Sequence, residues 1–124
     1  MAPDGSDVRL LLQASGGSLA QFRLAPGQAS VAIHHRTVEE IWYITSGRGE
    51  MWRRSDEAES TVNLEHGICL DIPAGTHFQF RSTGDEPLIA IGVTMPPWPG
   101  EGEAVGSEGP WPPTVEPGPG LAPR

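Results

Sequence analysis

A glutamate surrounded by large apolar residues is the first feature of this sequence that could support chemistry. Glu40 is followed by the run Ile-Trp-Tyr-Ile and is preceded by two adjacent histidines, His34 and His35. A carboxylate among such neighbours either finds a cationic or metal partner or has its pKa raised by desolvation, and both outcomes are common at catalytic sites. We therefore predict that Glu40 is a general acid or base, with His35 or His34 as its partner.

These side chains need a scaffold, and the sequence predicts one made of β-strands. Short β-like runs alternate with Gly-, Pro- and Asp-containing turn signals between residues 8 and 94, at a spacing that predicts nine strands. The third is predicted over residues 29–35 and the fourth over residues 40–45. No stretch offers a convincing helical face, so the strands must bury their faces against each other, which predicts an all-β sandwich or barrel.

Length and charge exclude several classes of function. A chain of 124 residues suits one small domain and excludes a multi-domain enzyme. Sixteen acidic residues face eight basic ones, every basic residue is arginine, and the net charge is −8. The absence of lysine excludes a lysine Schiff base and a phosphate-loop lysine. An acidic chain without a basic block also predicts neither a nucleic-acid nor a membrane partner.

The ends of the chain differ from its centre in composition. Residues 1–7 are predicted to form an N-terminal arm, residues 8–94 the β-domain, and residues 95–124 a tail that holds nine of the thirteen prolines. Because Trp98 and Trp111 would seek a surface to cover, residues 95–112 are expected to pack on the domain and the remainder to be disordered.

The predicted location is the cytoplasm. No basic segment precedes a long apolar run near the N-terminus, so we expect neither a signal peptide nor a membrane span. Cys69 is the single cysteine and cannot form an intramolecular disulfide, which agrees with a reducing compartment.

Two segments resemble the sequence motifs of the cupin superfamily. The run from Gly27 to Gly47, which contains the two histidines and Glu40, resembles the first motif, and the run from Gly67 to Ser82, which contains a Pro-x-Gly turn and His77, resembles the second. The resemblance implies a cupin-type jelly-roll β-barrel of two antiparallel sheets with the Pro/Gly-rich tail outside the motifs. It also implies a homodimer and a small organic ligand or substrate inside the barrel.

The resemblance further implies a divalent metal, but the matching positions depart from the family pattern. The four ligand positions are Ile33, His35, Glu40 and Phe78, with His77 one place early. Because side chains alternate along a strand, His77 would normally face outward. A β-bulge that turned it inward would give His35 (or His34), Glu40 and His77 as a three-ligand site for zinc, manganese, iron or nickel.

A second register stays open, in which His34 faces the interior. Arg36 then follows it on the same face, and together with Glu40 they would form a carboxylate-binding or acid/base pocket without a metal. In either register the predicted substrate-binding residues are Arg36 and an apolar lining made of Trp42, Ile33, Ile44, Phe78 and Phe80.

Two functions are open on this basis. The first is a small-molecule enzyme that carries out an isomerase, cyclase, dehydratase or lyase step, similar to the small cupins that act as polyketide cyclases or tailoring enzymes in bacterial secondary metabolism. A dioxygenase is a minor branch of this hypothesis, because it would need redox iron with open coordination positions. The alternative is a metal-free cupin that binds or senses a small molecule without catalysis.

Overall fold

The protein is built from strands. The computed structural model describes residues 1–123, and no helix in that part of the chain is long and apolar enough to cross a membrane. The strands are β1 (Asp7–Gln13), β2 (Ser18–Leu24), β3 (Ile33–His35), β4 (Glu39–Ser46), β5 (Gly49–Arg54), β6 (Glu59–Leu64), β7 (Cys69–Ile72), β8 (His77–Ser82), β9 (Leu88–Met95) and β10 (Ala104–Gly106).

The strands form two five-stranded antiparallel sheets. Sheet A has the order β1-β2-β9-β4-β7 and sheet B the order β10-β3-β8-β5-β6. From β2 onward the chain changes sheet at every step except between β5 and β6, so sequential strands face one another across the core. The predicted all-β jelly roll with two antiparallel sheets is confirmed.

Side-chain alternation places one face of each sheet in a common core. On β4, Glu40, Trp42 and Ile44 are buried, whereas the residues between them are exposed. The same alternation buries Ile33 and His35 on β3 and leaves His34 on the outer face. The core cluster contains Leu24, Ile33, Trp42, Ile44, Met51, Leu64, Leu70, Ile72, Phe78, Phe80, Leu88, Ala90 and Ala104.

The C-terminal tail is more ordered than its composition predicts. Residues 104–106 form β10, which pairs with β3, although no strand is predicted there. We also expected the segment after residue 112 to be disordered, but the Thr114 amide donates to the Ala29 carbonyl (3.1 Å) and the Ala122 amide donates to the Ala104 carbonyl (2.8 Å). Leu121 packs on the core, which gives this segment an apolar anchor. Residue 124 lies outside the described residues.

The N-terminal arm lies between the barrel and the tail. Ala2, Asp4 and Ser6 are buried. The Asp4 carbonyl accepts a hydrogen bond from the Val31 amide (2.8 Å), and the Pro3 carbonyl accepts one from the Gly118 amide (3.1 Å). Both ends of the chain therefore contribute to the surroundings of the barrel interior.

Candidate functional site

A cavity of about 540 Å³ opens on the inner face of the barrel. Its walls come from the arm, from β1 to β4, from β8 and β9, and from the tail. Four aromatic side chains and three acidic ones dominate this lining, and they are Phe22, Trp42, Phe78, Trp98, Asp4, Glu40 and Glu101. His35 lies in the same wall. The cavity is therefore an aromatic chamber that contains ionisable groups.

The central contact in the cavity joins His35 and Glu40. His35 Nδ1 lies 3.4 Å from Glu40 Oε2, and the two side chains are only 4% and 3% exposed. The imidazole ring packs between Phe78, at 5.3 Å between ring centroids, and Trp98, at 5.0 Å. Strand alternation directs both polar groups into an apolar interior, where neither reaches bulk water.

The short crossover between β3 and β4 fixes this contact. His35 ends β3 in sheet B and Glu40 lies at the start of β4 in sheet A, so the residues between them must pass from one sheet to the other. The Glu103 carboxylate in the tail holds this crossover, because Oε1 accepts hydrogen bonds from the Thr37 amide (2.7 Å), the Thr37 hydroxyl (2.6 Å) and the Val38 amide (2.8 Å). Burial acts to raise the pKa of Glu103, but these hydrogen bonds outweigh it and the pKa is lowered.

Burial shifts both members of the pair toward their neutral forms. Desolvation raises the pKa of Glu40 to about 8; the Trp42 indole opposes this shift and the Asp4 carboxyl adds to it. Desolvation lowers the pKa of His35 to about 4, against a raising effect of the Glu103 carboxylate. Near pH 7 the contact therefore joins a protonated acid to a neutral base, and it is not an ion pair.

Two nitrogen atoms in the cavity wall have no hydrogen-bond partner among the described residues. His35 Nδ1 makes no hydrogen bond although it lies 3.4 Å from Glu40 Oε2, and the buried Trp42 Nε1 makes none either, although the indole lies close enough to Glu40 to lower its pKa. Gly92 lies against this indole, since a Cβ atom there would be 3.0 Å from Nε1. Because buried polar atoms are normally paired, both nitrogens are positions where a bound molecule could donate or accept.

The structure separates the predicted site residues into two groups. It brings His35, Glu40, Trp42, Ile33 and Phe78 together in the cavity wall. Ile44 and Phe80 are buried in the core and do not belong to the cavity lining, so the structure does not bring these two predicted substrate-binding residues to the cavity. Ile44 follows Trp42 by two residues on β4, and Phe80 follows Phe78 by two residues on β8, so both side chains face inward but lie beyond the cavity, in the core cluster.

His34, His77 and Arg36 lie outside the cavity. His34 and His77 are cross-strand neighbours on the outer face of sheet B, and their Nδ1 atoms contact the Ser107 hydroxyl at 3.1 and 2.6 Å. The pKa of each imidazole is lowered, mainly by partial burial. Arg36 is exposed, and its Nε donates to the Gly102 carbonyl (2.6 Å). The register with His34 inward is therefore wrong, because alternation commits His35 to the interior.

The donors present do not fit the metal centre that the family resemblance implies. Ile33 and Phe78 occupy two of the four ligand positions, and no bulge turns His77 inward, since it stays in register with His34. Within residues 1–123, no group of three or more His, Cys, Asp or Glu side chains is arranged to hold a metal ion.

Four of the aromatic and acidic residues that line the cavity were not predicted from the sequence, and they are Phe22, Trp98, Asp4 and Glu101. Asp4 belongs to an arm without strand periodicity, and no pattern indicates that its carboxyl is buried at 3% exposure. Trp98 carries a signal, because an indole in a Pro-rich segment is expected to cover a surface, but the sequence does not say which surface. Its backbone amide donates to the Ser18 hydroxyl (2.9 Å), which fixes the indole over His35.

Solved structures share this fold. An uncharacterised conserved protein with a double-stranded β-helix domain from Klebsiella pneumoniae matches with a TM-score of 0.65 at 19% identity, over 77% of this chain and 81% of that one. Oxalate decarboxylase from Lactobacillus farciminis, in a formate complex, matches with a TM-score of 0.69 at 25% identity, over 77% of this chain and 30% of that one.

Sequence comparisons agree with the structural ones. The uncharacterised protein MJ1618 of Methanocaldococcus jannaschii is 31% identical over 100 residues, which are 77% of this chain and 77% of that protein. The family model described as Cupin domain matches residues 20–94, which is more than half of the chain and includes both motifs. With two antiparallel sheets in jelly-roll order around an interior site, the chain belongs to the cupin family.

Proposed function

We propose that the protein is an enzyme that transfers protons on a small organic molecule held in the barrel cavity. The observation that supports this proposal is the contact between Glu40 and His35, a protonated acid and a neutral base that face the same cavity. General acid–base catalysis needs this pairing near neutral pH. The reaction classes it suits are isomerisation, cyclisation, dehydration and lyase chemistry.

The proposed reaction needs only these two side chains for its protons. The His35 imidazole accepts a proton from a carbon or hydroxyl of the substrate, and the Glu40 carboxyl donates its proton to an oxygen of the same molecule. In an isomerisation the substrate gains one proton and loses one, which leaves an imidazolium and a carboxylate 3.4 Å apart. These opposite charges attract each other, and the pair returns to its starting state when the proton passes from His35 to Glu40 across this gap. The aromatic walls exclude water and hold the substrate. The scheme uses no metal because the described donors do not form a site for one.

The narrower version of this proposal is a tailoring step in bacterial secondary metabolism, such as the cyclisation of a polyketide. It rests on the resemblance to small cupins with those activities. A second candidate, a binding or sensing protein without catalysis, is favoured by Ile33 and Phe78, which replace two polar residues of the family pattern with apolar walls.

Solvent deuterium exchange tests the proposal without knowledge of the substrate. Enolisable ketones such as indanone and tropinone, incubated with the protein in D₂O, should exchange their α-protons, as followed by proton NMR. Glu40→Gln should slow the exchange by about 10²–10⁴-fold. Glu39→Gln, a neighbouring change on the exposed face, is the control. Bound ketone with no catalysed exchange would favour the binding protein, and equal catalysed rates in wild type and Glu40→Gln would remove Glu40 from the mechanism.

The pH dependence of this exchange has an expected shape. Activity needs His35 neutral and Glu40 protonated, so the rate should fall below the His35 pKa of about 4 and above the Glu40 pKa of about 8. A rate that rises steadily through pH 8 would contradict the assignment of Glu40 as the acid.

We also propose that two copies of the chain associate through β1. This strand is an edge of sheet A, all of its residues are exposed, and Leu10, Leu11 and Leu12 are 62%, 41% and 69% exposed. An exposed apolar edge strand favours pairing with a second copy. Light scattering should give twice the 13.2 kDa chain mass, and Leu12→Lys should lower it. Thr61→Lys on β6, the edge of sheet B, should not.

A further inference from the structure

The ionisable side chains around the cavity are carboxyls, apart from His35. Asp4 and Glu40 lie inside, each about 3% exposed, and Glu101 lies at the exposed rim. Of the described residues that line the cavity, none is arginine or lysine, and His35 is held neutral by burial. A small anion would therefore meet carboxyl groups and no cationic side chain, whereas a cation would meet favourable partners on several sides.

Asp4 is arranged to contact a bound molecule. Its Oδ1 atom accepts hydrogen bonds from the Ser6 amide (3.0 Å) and the Ser6 hydroxyl (2.7 Å). No hydrogen bond or ion pair to Oδ2 is found within residues 1–123, although the side chain is almost entirely buried in the cavity wall. One oxygen thus holds the arm in place, and the other is free for a ligand.

Two other features of the wall indicate the rest of the ligand. The buried Trp42 indole N–H makes no aligned hydrogen bond, although it lies close enough to the Glu40 carboxyl to lower its pKa. An indole can only donate, so a ligand oxygen is the partner that it lacks. Phe22, Trp42, Phe78 and Trp98 all contribute to the lining. Aromatic rings attract organic cations through their quadrupoles, and the attraction is strongest where water is excluded.

We propose that the cavity takes a small organic cation that also carries a hydroxyl or carbonyl oxygen, with Asp4 as its counter-ion and the Trp42 N–H as donor to that oxygen. This inference rests on the proposed function for the location of the site and adds the chemical class of the molecule. Protonated amino ketones and quaternary ammonium alcohols belong to this class, whereas dicarboxylates do not.

Binding of a cation should release a proton. Burial raises the pKa of Glu40 to about 8, so the empty cavity holds the Glu40 proton near pH 7, and burial raises the pKa of Asp4 as well. The other titratable groups around Asp4 are His35, the rim carboxylate of Glu101 and the chain amino group at the exposed Met1. A cation beside Asp4 favours its ionised form, so affinity should rise with pH.

Choline and its uncharged carbon isostere, dimethylbutanol, form a matched pair of probes because they share size and hydroxyl group. Titration calorimetry with the full chain should show that choline binds at least about tenfold more tightly than dimethylbutanol and that oxalate does not bind. Repeating the choline titration in buffers with different ionisation enthalpies should show net proton release near pH 7.

Asp4→Asn keeps the oxygen that holds Ser6 and removes the charge. It should reduce the preference for choline over dimethylbutanol to less than about threefold, whereas Asp7→Asn, an exposed acid on β1, should leave it unchanged. Equal binding of the two probes by wild type, preference for oxalate, absence of choline binding, or proton uptake would each overturn the inference. Since binding needs no turnover, ketone exchange that depends on Glu40 would still support the proposed function in that case.

Discussion

Replacing Glu40 with glutamine should stabilise the protein, and the gain should grow with pH. The folded chain holds the Glu40 proton up to a pKa of about 8, whereas the unfolded chain releases it near the ordinary value of 4.5. Between these values the unfolded state binds fewer protons than the folded state, so stability falls as pH rises, by about 1.4 kcal/mol per pH unit. Glu40→Gln removes this loss.

The window from pH 6.5 to 8 isolates the effect. The pKa of His35 is lowered from 6.5 to about 4, so its stabilising contribution is complete above pH 6.5 and is lost only as pH falls toward 4. From pH 6.5 to pH 8 the free energy of unfolding of Glu40→Gln should therefore increase by about 2 kcal/mol relative to that of wild type.

Urea unfolding at several pH values provides the measurement, since the free energy extrapolates linearly to water. Glu39→Gln removes a carboxyl on the exposed face of β4, and its free energy of unfolding should change with pH in the same way as that of wild type. Parallel curves for Glu40→Gln and wild type between pH 6.5 and 8 would mean that Glu40 is already ionised in the folded state, contrary to this prediction.

Three further predictions concern the surroundings of the pair. Gly92→Ala should cost about 1–3 kcal/mol in urea unfolding, because its Cβ would crowd Trp42; an unchanged midpoint would contradict the close approach. Glu103→Ala should cost about 1–3 kcal/mol in the same assay, since the Thr37 and Val38 donors lose their acceptor, and no loss would show that they find water. His77→Ala should leave ketone exchange unchanged, and a large loss would place His77 in the cavity.

The barrel could be predicted because its signals are local. Turn residues and short β-like runs mark the strands one by one, and the nine predicted strands agree with β1 to β9 apart from the third, which shortens from residues 29–35 to Ile33–His35. Ala29 lies outside the named strands and pairs with Arg81 through an isolated β-bridge. Because side chains alternate along a strand, only one of the adjacent residues His34 and His35 can face the interior. Which of them does so depends on the register of β3 in its sheet.

The parts that were missed depend on contacts between distant segments. β10 is too short and too close to prolines to carry a pattern, and it exists because β3 offers it an edge. The burial of Asp4 depends on the arm lying under the tail, where the Gly118 amide meets the Pro3 carbonyl. Neither segment contains periodicity that could reveal its partner.

The proposed function depends above all on where the proton lies in the cavity, and NMR can locate it. In protein labelled with ¹³C at glutamate side chains and ¹⁵N in histidine rings, Glu40→Gln and His35→Gln identify the two signals. At pH 7 we expect a protonated Glu40 carboxyl that titrates near pH 8 and a neutral His35 ring. An imidazolium beside a carboxylate at that pH would contradict the acid and base roles on which the proposed function depends.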